Sequence, residues 1–442
     1  MEIVARNAAR AALKESKAPD GFWQKVSLSF FPNSPMNHPG RRKGKNDQGL
    51  SKSDADVMAA VRAWLSEPEG HSPGVDCVLC GRAAVGFYGK RDVALAQSEA
   101  YRNTTPRGHE GMALCWPCVA SFYALPYGCQ LTGGSSVALH SWAEPFLANT
   151  IARQVARNLV LAEFGREADK DGDRREIVAL RALRAYAQPL TDGVEMLVFN
   201  NNNRGQLLDS YSLTQPLAEW LRRSSRISGR RAGFEVLVRA HTTENVRGLL
   251  ALARNAFRDP ARVVSRGVQG MALLLGRQGS DPVVLKGLAK LLTTFAIEVM
   301  QVNEADLAEI RSTGHKVAAV LSADEGLGSL RELRAKVRSP KDLRLWLTRQ
   351  AVVWAGVGSG AQDVRDRGPL VSERGFVLLF DPGSDNAAWL HRDLLLVTVL
   401  EELARLGWSA RGAEEPDETL ADMDAEDRRF LAENDSDDEE DQ

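Results

Sequence analysis

Two CxxC knuckles constrain this chain more than any other feature. Cys77 and Cys80 lie in CVLCG, Cys115 and Cys118 in CWPC, and 34 residues separate the pairs. Two residues between cysteines let both thiolates converge from one tight turn, and a second pair completes the tetrahedron that zinc prefers. Gly81 directly follows Cys80 and suits the left-handed backbone that such a turn often needs. The spacing therefore predicts one structural Zn²⁺ held by Cys77, Cys80, Cys115 and Cys118.

The segment between the knuckles exceeds the usual 15–20 residues or so. Doubling a flexible loop costs only about 0.6 kcal/mol in closure entropy, against an apparent zinc-binding free energy of about 10–16 kcal/mol. Length is no obstacle. A redox dithiol is the rival for CWPC, but it leaves the upstream CxxC unused and lacks a clear βαβ frame. A zinc deaminase needs H-x-E and then P-C-x-x-C, whereas Glu110 directly follows His109 and Pro117 stands inside the second knuckle. His109 is also followed by EGMA, not by the spacing of H-E-x-x-H. Four sulfur ligands leave no open position for a reacting water. Cys129 reads as a small buried residue and His109 as a loop histidine.

Reduced, metal-binding cysteines fit an intracellular protein. The N-terminal stretch carries Glu2 and no uninterrupted apolar core, so it reads as an amphipathic helix and not a secretion signal. No apolar run approaches the ~18 residues that suggest a membrane span; Leu394 to Leu400 is the richest stretch and reads as part of a buried helix. A cytoplasmic location without membrane association is expected. At 442 residues, with ~150 per domain as a guide, two to four domains are expected.

The net charge of −2 conceals a division. Residues 413–442 hold fifteen acidic residues and two basic ones, leaving 54 basic against 43 acidic residues upstream. A basic body favours polyanions, nucleic acid first, because arginine and lysine release condensed counterions from phosphates. The acidic tail can compete with such a ligand or simply aid solubility.

Hydropathy patterning gives an N-terminal helix followed by a strand-like segment from Val26 to Phe31, an exposed basic loop from Phe31 to Gly49, and a helix over 53–67. Ser53 or Asp54 can cap that helix, with Val57, Val61, Trp64 and Leu65 on its apolar face. Segment 136–165 reads as helical. Gly193 to Phe199 and Gly233 to Arg239 read as strands flanking a helix at 214–223. From 283 onward short connections join amphipathic helices, with Pro340 in the first turn of one, as in an antiparallel bundle. The expected fold is an α+β N-terminal part with a four-cysteine zinc ribbon, a C-terminal all-α helical bundle and a disordered acidic tail. The segments are 1–72, 73–135, 136–282, 283–410 and 411–442.

Basic clusters suggest where nucleic acid would sit. Arg41, Arg42, Lys43 and Lys45 crowd one loop; Arg222, Arg223, Arg226, Arg230 and Arg231 fall within ten residues. Each can pair with phosphates, or form an ordinary solvated face. Asn201, Asn202, Asn203 and Arg204 follow a strand, where amides can read base edges or merely satisfy a turn. Arg331, Arg334, Lys336, Arg338, Lys341, Arg344 and Arg349 stud the helical region and could track a single strand. No phosphate loop, GxSxG elbow or metal-spaced carboxylate cluster stands out before the tail, so a binding role is favoured over an enzyme. A zinc-ribbon nuclease with scattered carboxylates is the alternative.

From CVLCG through NTTPRGHEGMALCWPCVASFYALPYGC, the chain resembles the zinc-binding segment of the large subunit of type I CRISPR Cascade complexes, in the type I-B-like branch. The matching positions are Cys77, Cys80, Gly81, Pro106, Gly108, Gly111, Cys115, Cys118, Ala124, Leu125, Pro126 and Gly128. The resemblance implies a non-catalytic subunit that sits beside the protein gripping the guide RNA's 5′ handle, in a ribonucleoprotein with other CRISPR-associated subunits. It implies contact with the motif flanking the target in double-stranded DNA, help in opening the duplex, and recruitment of a helicase-nuclease. Target sequence itself would be read by guide pairing. The acidic tail is a departure from the family.

Overall fold

A computed structural model describes residues 1–13, 21–37, 53–70, 72–95, 111–132, 135–165, 174–201, 206–243, 246–276, 282–323, 327–356, 368–381, 383 and 387–408. The loop bearing Arg41, Arg42, Lys43 and Lys45, together with His109, Asn202, Arg204 and the acidic tail, lies outside the described residues. The described chain is mainly helical with small antiparallel sheets, and its described residues divide into two compact units: those within 1–182 and 194–212, and those within 183–193 and 213–408.

In the first unit, helices α1 (Glu2–Leu13), α2 (Phe22–Ser29) and α3 (Asp54–Trp64) gather around an aromatic core. Helix α3 starts at a capping box: the Ser53 hydroxyl accepts from Asp56 N–H at 3.2 Å, and the Asp56 carboxylate accepts from Ser53 N–H at 3.0 Å. Two orphan donors are satisfied at once. Its face of Val57, Val61, Trp64 and Leu65 is buried, as the period predicts. Trp64 meets Phe31 and Tyr123 edge-on, with ring centroids at 5.4 and 5.2 Å, a geometry suited to the aromatic quadrupole.

A two-stranded ribbon of β1 (Gly86–Tyr88) and β2 (Met112–Leu114) leads into α4 (Trp116–Gly128). A second sheet runs in the order β3 (Gln130–Leu131), β4 (Ser136–His140), β5 (Val194–Asn200), β6 (Leu207–Leu213). Strands β4 and β5 are antiparallel, with Val137 opposite Val198 and Leu139 opposite Met196. Two further helices, α5 (Glu144–Phe164) and α6 (Arg175–Ala185), complete the order up to β5.

Three sequence expectations are corrected. Val26 to Phe31 is not a strand: Phe22, Trp23, Val26 and Phe30 are buried at helical spacing in α2 and its C-cap. Segment 136–165 opens as β4, and its helix begins only at Glu144. Gly233 to Arg239 lies within α8 (Ser228–Ala240), where Gly233, Phe234, Val236 and Leu237 are buried. Its β-branched valines favour a strand locally, but tertiary packing overrides that weak preference. A Cβ at Gly233 would collide with the backbone of Gly287, so the glycine permits the close crossing of α8 and α11 (Pro282–Glu298). The strand beside β5 in chain order is β6, whose LLDSYSL alternates half-buried and exposed positions.

The second unit is helical: α7 (Gln215–Arg226), α8, α9 (Gly248–Arg258), α10 (Ala261–Gly276), α11, α12 (Glu304–Ser322), α13 (Leu327–Val337), α14 (Pro340–Gly356), α15 (Glu373–Phe380) and α16 (Ala388–Arg405). Helix α16 packs against α10, α11, α12 and α13. Every residue from Leu394 to Leu400 is buried, as expected for a helix surrounded by others. Each such Leu or Val contributes roughly 1.5–3 kcal/mol of burial. Among the described residues, no helix is long and apolar enough to cross a membrane.

Candidate metal centre

The first knuckle is a turn pinned by the backbone. Cys77 N–H donates to the Arg82 carbonyl at 2.7 Å, and Gly81 N–H to the Cys77 carbonyl at 2.9 Å. Gly81 sits at φ +71°, the left-handed conformation anticipated from its place after Cys80. Two bonds fasten this turn to the ribbon: Val78 N–H to the Ala113 carbonyl at 3.0 Å and Val85 N–H to the Leu114 carbonyl at 2.9 Å. The knuckle thus reaches the second cysteine pair through β2.

Cys115 follows β2 directly and is the N-cap of α4, with extended angles of φ −78° and ψ 159°. Pro117 falls in the first turn, where its missing N–H costs nothing. Cys118 N–H donates to the Cys115 carbonyl at 3.1 Å, which folds the second pair around the helix start. Helix α4 is anchored at depth: Tyr127 accepts from Trp23 Nε1 at 3.0 Å, while Asp92 accepts from Tyr123 Oη at 3.1 Å and from Trp64 Nε1 at 2.9 Å.

All four sulfurs lie within 4.8 Å of one another. Cys80 Sγ is 3.4 Å from Cys115 Sγ and 3.6 Å from Cys118 Sγ. A tetrahedron with metal–sulfur bonds of about 2.3 Å has edges of about 3.8 Å, so these separations fit a four-thiolate metal site. Cys77 and Cys115 are buried, Cys118 is half-buried and Cys80 is exposed. Among the described residues, this is the one group of three or more His, Cys, Asp or Glu placed to hold a metal ion.

The electrostatics of the site express the crowding of like groups. Burial raises the Cys77 thiol, but N–H groups of Cys115, Leu79 and Cys80, with the Cys80 side chain, outweigh it and bring it down to about 6. Cys118 is pushed up to about 12 by desolvation, by its hydrogen bonds to the other three sulfurs and by the charge on Cys77. Packed thiols cannot all ionise together unless a cation joins them. The fifth cysteine, Cys129, stands apart: it is fully buried at the end of α4, burial pushes it up to about 12, and its carbonyl accepts from Asn158 at 2.7 Å.

The second arginine cluster has a different fate. Arg222 is buried and grips Glu219 with a two-pronged fork at 2.7 and 2.6 Å, while donating to the Ala187 carbonyl at 2.9 Å. Burial raises Glu219, yet Arg222 and the Leu190 N–H hold it below the usual carboxylate range. Arg230 makes two bonds to Glu298 at 3.0 and 2.5 Å, and Arg223 adds a third at 3.3 Å. Arg226 donates to the Arg184 carbonyl, and Arg231 pairs with Glu235 one turn on. Arg223 and Arg230 thus fasten α7 and α8 to α11 through Glu298, while Arg222 and Arg226 tie α7 to the Ala187 and Arg184 carbonyls.

Asn201, within the asparagine run, is fully buried. Its amide donates to the Phe30 carbonyl at 2.7 Å and its oxygen accepts from Gln206 at 2.6 Å, so it pins β5 to α2. Sequence reasoning misses Asp92 as a support of the metal helix. It stands 28 and 31 residues from its partners, and no local pattern encodes such a contact. No protein-family model, no curated protein and no solved structure matches the chain.

Proposed function

We propose that Cys77, Cys80, Cys115 and Cys118 bind one structural Zn²⁺, and that the chain is the non-catalytic, nucleic-acid-binding large subunit of an RNA-guided type I CRISPR surveillance complex. The observation that carries the reading is the convergence of the four sulfurs within 4.8 Å. The described part of the stretch that resembles the Cascade large subunit forms one structural piece: the knuckle, the ribbon and α4 through Gly128. Zinc is the ion favoured by a closed four-thiolate set, and with four protein ligands it has no vacant position for a substrate water. The metal orders the segment and performs no chemistry.

In this reading the partners are a guide-RNA ribonucleoprotein with other CRISPR-associated subunits, double-stranded target DNA bearing a flanking motif, and a helicase-nuclease that follows. The excess of basic residues before the tail supports a polyanionic ligand. The inward pairing around Glu219 and Glu298 shifts the expected contacts away from Arg222 and Arg230 and leaves Arg41, Arg42 and Lys43 as the leading candidates.

Co-expression with the neighbouring genes, followed by pull-down on this chain, tests the reading. Guide RNA and a repeat-binding protein should co-purify, with one zinc per chain by elemental analysis. A chain that emerges alone and without RNA would sink the assignment, whatever its metal content.

A further inference from the structure

A cavity of about 350 Å³ in the second unit gathers arginines from three helical regions. Arg262 and Arg266 come from α10, Arg334 and Arg338 from α13 and its C-terminal end, and Arg392 from α16. Asp259 and Asp393 are the only acidic residues among the lining, so five guanidinium groups face two carboxylates. Arginines widely separated in sequence converge here, unlike the cluster at 222–231.

Internal bonds position several of these side chains. Arg262 lies 3.2 Å from Asp259, Arg266 donates to Gln269 at 2.7 Å, and Arg392 donates to the Leu379 carbonyl at 3.0 Å. Arg266 is held at 5% exposure, a costly place for a cation. Arg334 is half-buried and Arg338 exposed, so the charge runs from the interior out to solvent. Half-buried Trp389, in the first turn of α16, supplies a large aromatic surface in the same wall.

The combination differs from a plain basic face. Guanidinium forks match phosphate oxygens, and a tryptophan face accepts a nucleobase. We infer that this cavity binds a nucleotide, its phosphate taken by Arg334 and Arg338 with Arg262 and Arg392 beside them, and its base stacked on Trp389. The nucleotide can be free or one unit of a single strand; both present the same phosphate and ring. Neither source requires a guide complex, so the site can be tested on the purified full-length chain.

The probes are thymidine monophosphate and a short oligothymidylate, followed by calorimetry and tryptophan fluorescence. Saturable binding is expected, with quenching that disappears in Trp389→Phe. Arg334→Gln/Arg338→Gln should weaken it roughly tenfold, while Lys286→Gln/Lys290→Gln, which changes exposed charges on α11 outside the cavity lining, should leave it within roughly twofold. Equal affinity for both probes assigns a free nucleotide; an oligomer bound at least roughly tenfold tighter assigns a strand. Because Arg338 is exposed, Arg338→Gln alone should keep the wild-type melting temperature and still weaken binding, which separates recognition from folding. The inference is overturned if neither probe saturates, or if the cavity pair and the control pair lose affinity equally. Failure here leaves the pull-down with guide RNA unaffected, and the reverse also holds.

Discussion

The four cysteines and the five arginines at 222–231 are both dense motifs, yet the structure uses them in opposite ways. Sulfurs spaced by two residues have one efficient outlet, a shared cation, and they converge as the spacing predicts. Arginine has two outlets, a phosphate outside or a carboxylate within, and here Glu219 and Glu298 take most of the fork. A motif specifies its role when its chemistry admits one partner. Where two partners compete, the fold decides.

The largest expected effect comes from breaking the first half of that comparison. Chelation of the proposed zinc, or Cys115→Ser with Cys118→Ser, should remove several kcal/mol from the first unit, up to the ~10 kcal/mol scale of structural zinc. Protease protection and near-ultraviolet dichroism around α4, with its Trp116 and Tyr123, should report it. If both signals and the metal content survive the double substitution, the cysteines are not the ligands.

On the arginine side, His241 closes α8 and is buried, with Nδ1 2.8 Å from the Leu237 carbonyl. Desolvation brings it down to about 4, against the pull of that carbonyl and with help from nearby Arg266. Its folded value lies below its unfolded value near 6.5, so between those limits the unfolded chain binds the proton more readily. Stability should therefore fall as pH drops from about 6.5 towards 4, by on the order of 3 kcal/mol from this group. Denaturant midpoints compared at the two ends of that window in wild type and His241→Asn measure it. A slope unchanged by the substitution would show that His241 does not contribute.

The elements that the sequence disclosed are those with short-range logic. The Ser53 cap, the apolar face of α3, Gly81 and Pro340 each follow from residues within one or two turns. What stayed hidden was non-local. Glu298 is 68 residues from Arg230, and Gly233 reads as part of a strand until Gly287 is known to cross it. The same holds for the arginine cavity, whose members come from α10, the end of α13 and α16.

Glu298→Gln sharpens the comparison directly, since it removes the carboxylate that Arg223 and Arg230 share. With Arg230 largely enclosed, a loss of about 2 kcal/mol is expected in chemical denaturation. If stability is unchanged, the pair is incidental and the arginines return to the list of phosphate contacts.

Arg226 and Arg231 are the members of the cluster with the least to lose internally. Arg226 donates to one carbonyl from an exposed position, and Arg231 shares a solvent-exposed i,i+4 pair with Glu235, an arrangement that contributes about 0.3–0.5 kcal/mol. Replacing both with Gln should leave stability within about 0.5 kcal/mol. Their value as phosphate contacts would appear elsewhere, in the salt dependence of duplex binding, where each lost contact flattens the slope by about one. A stability loss as large as that of Glu298→Gln would make these two arginines part of the internal clamp. A flattened slope at unchanged stability would place the boundary between inward and outward charge within this ten-residue segment.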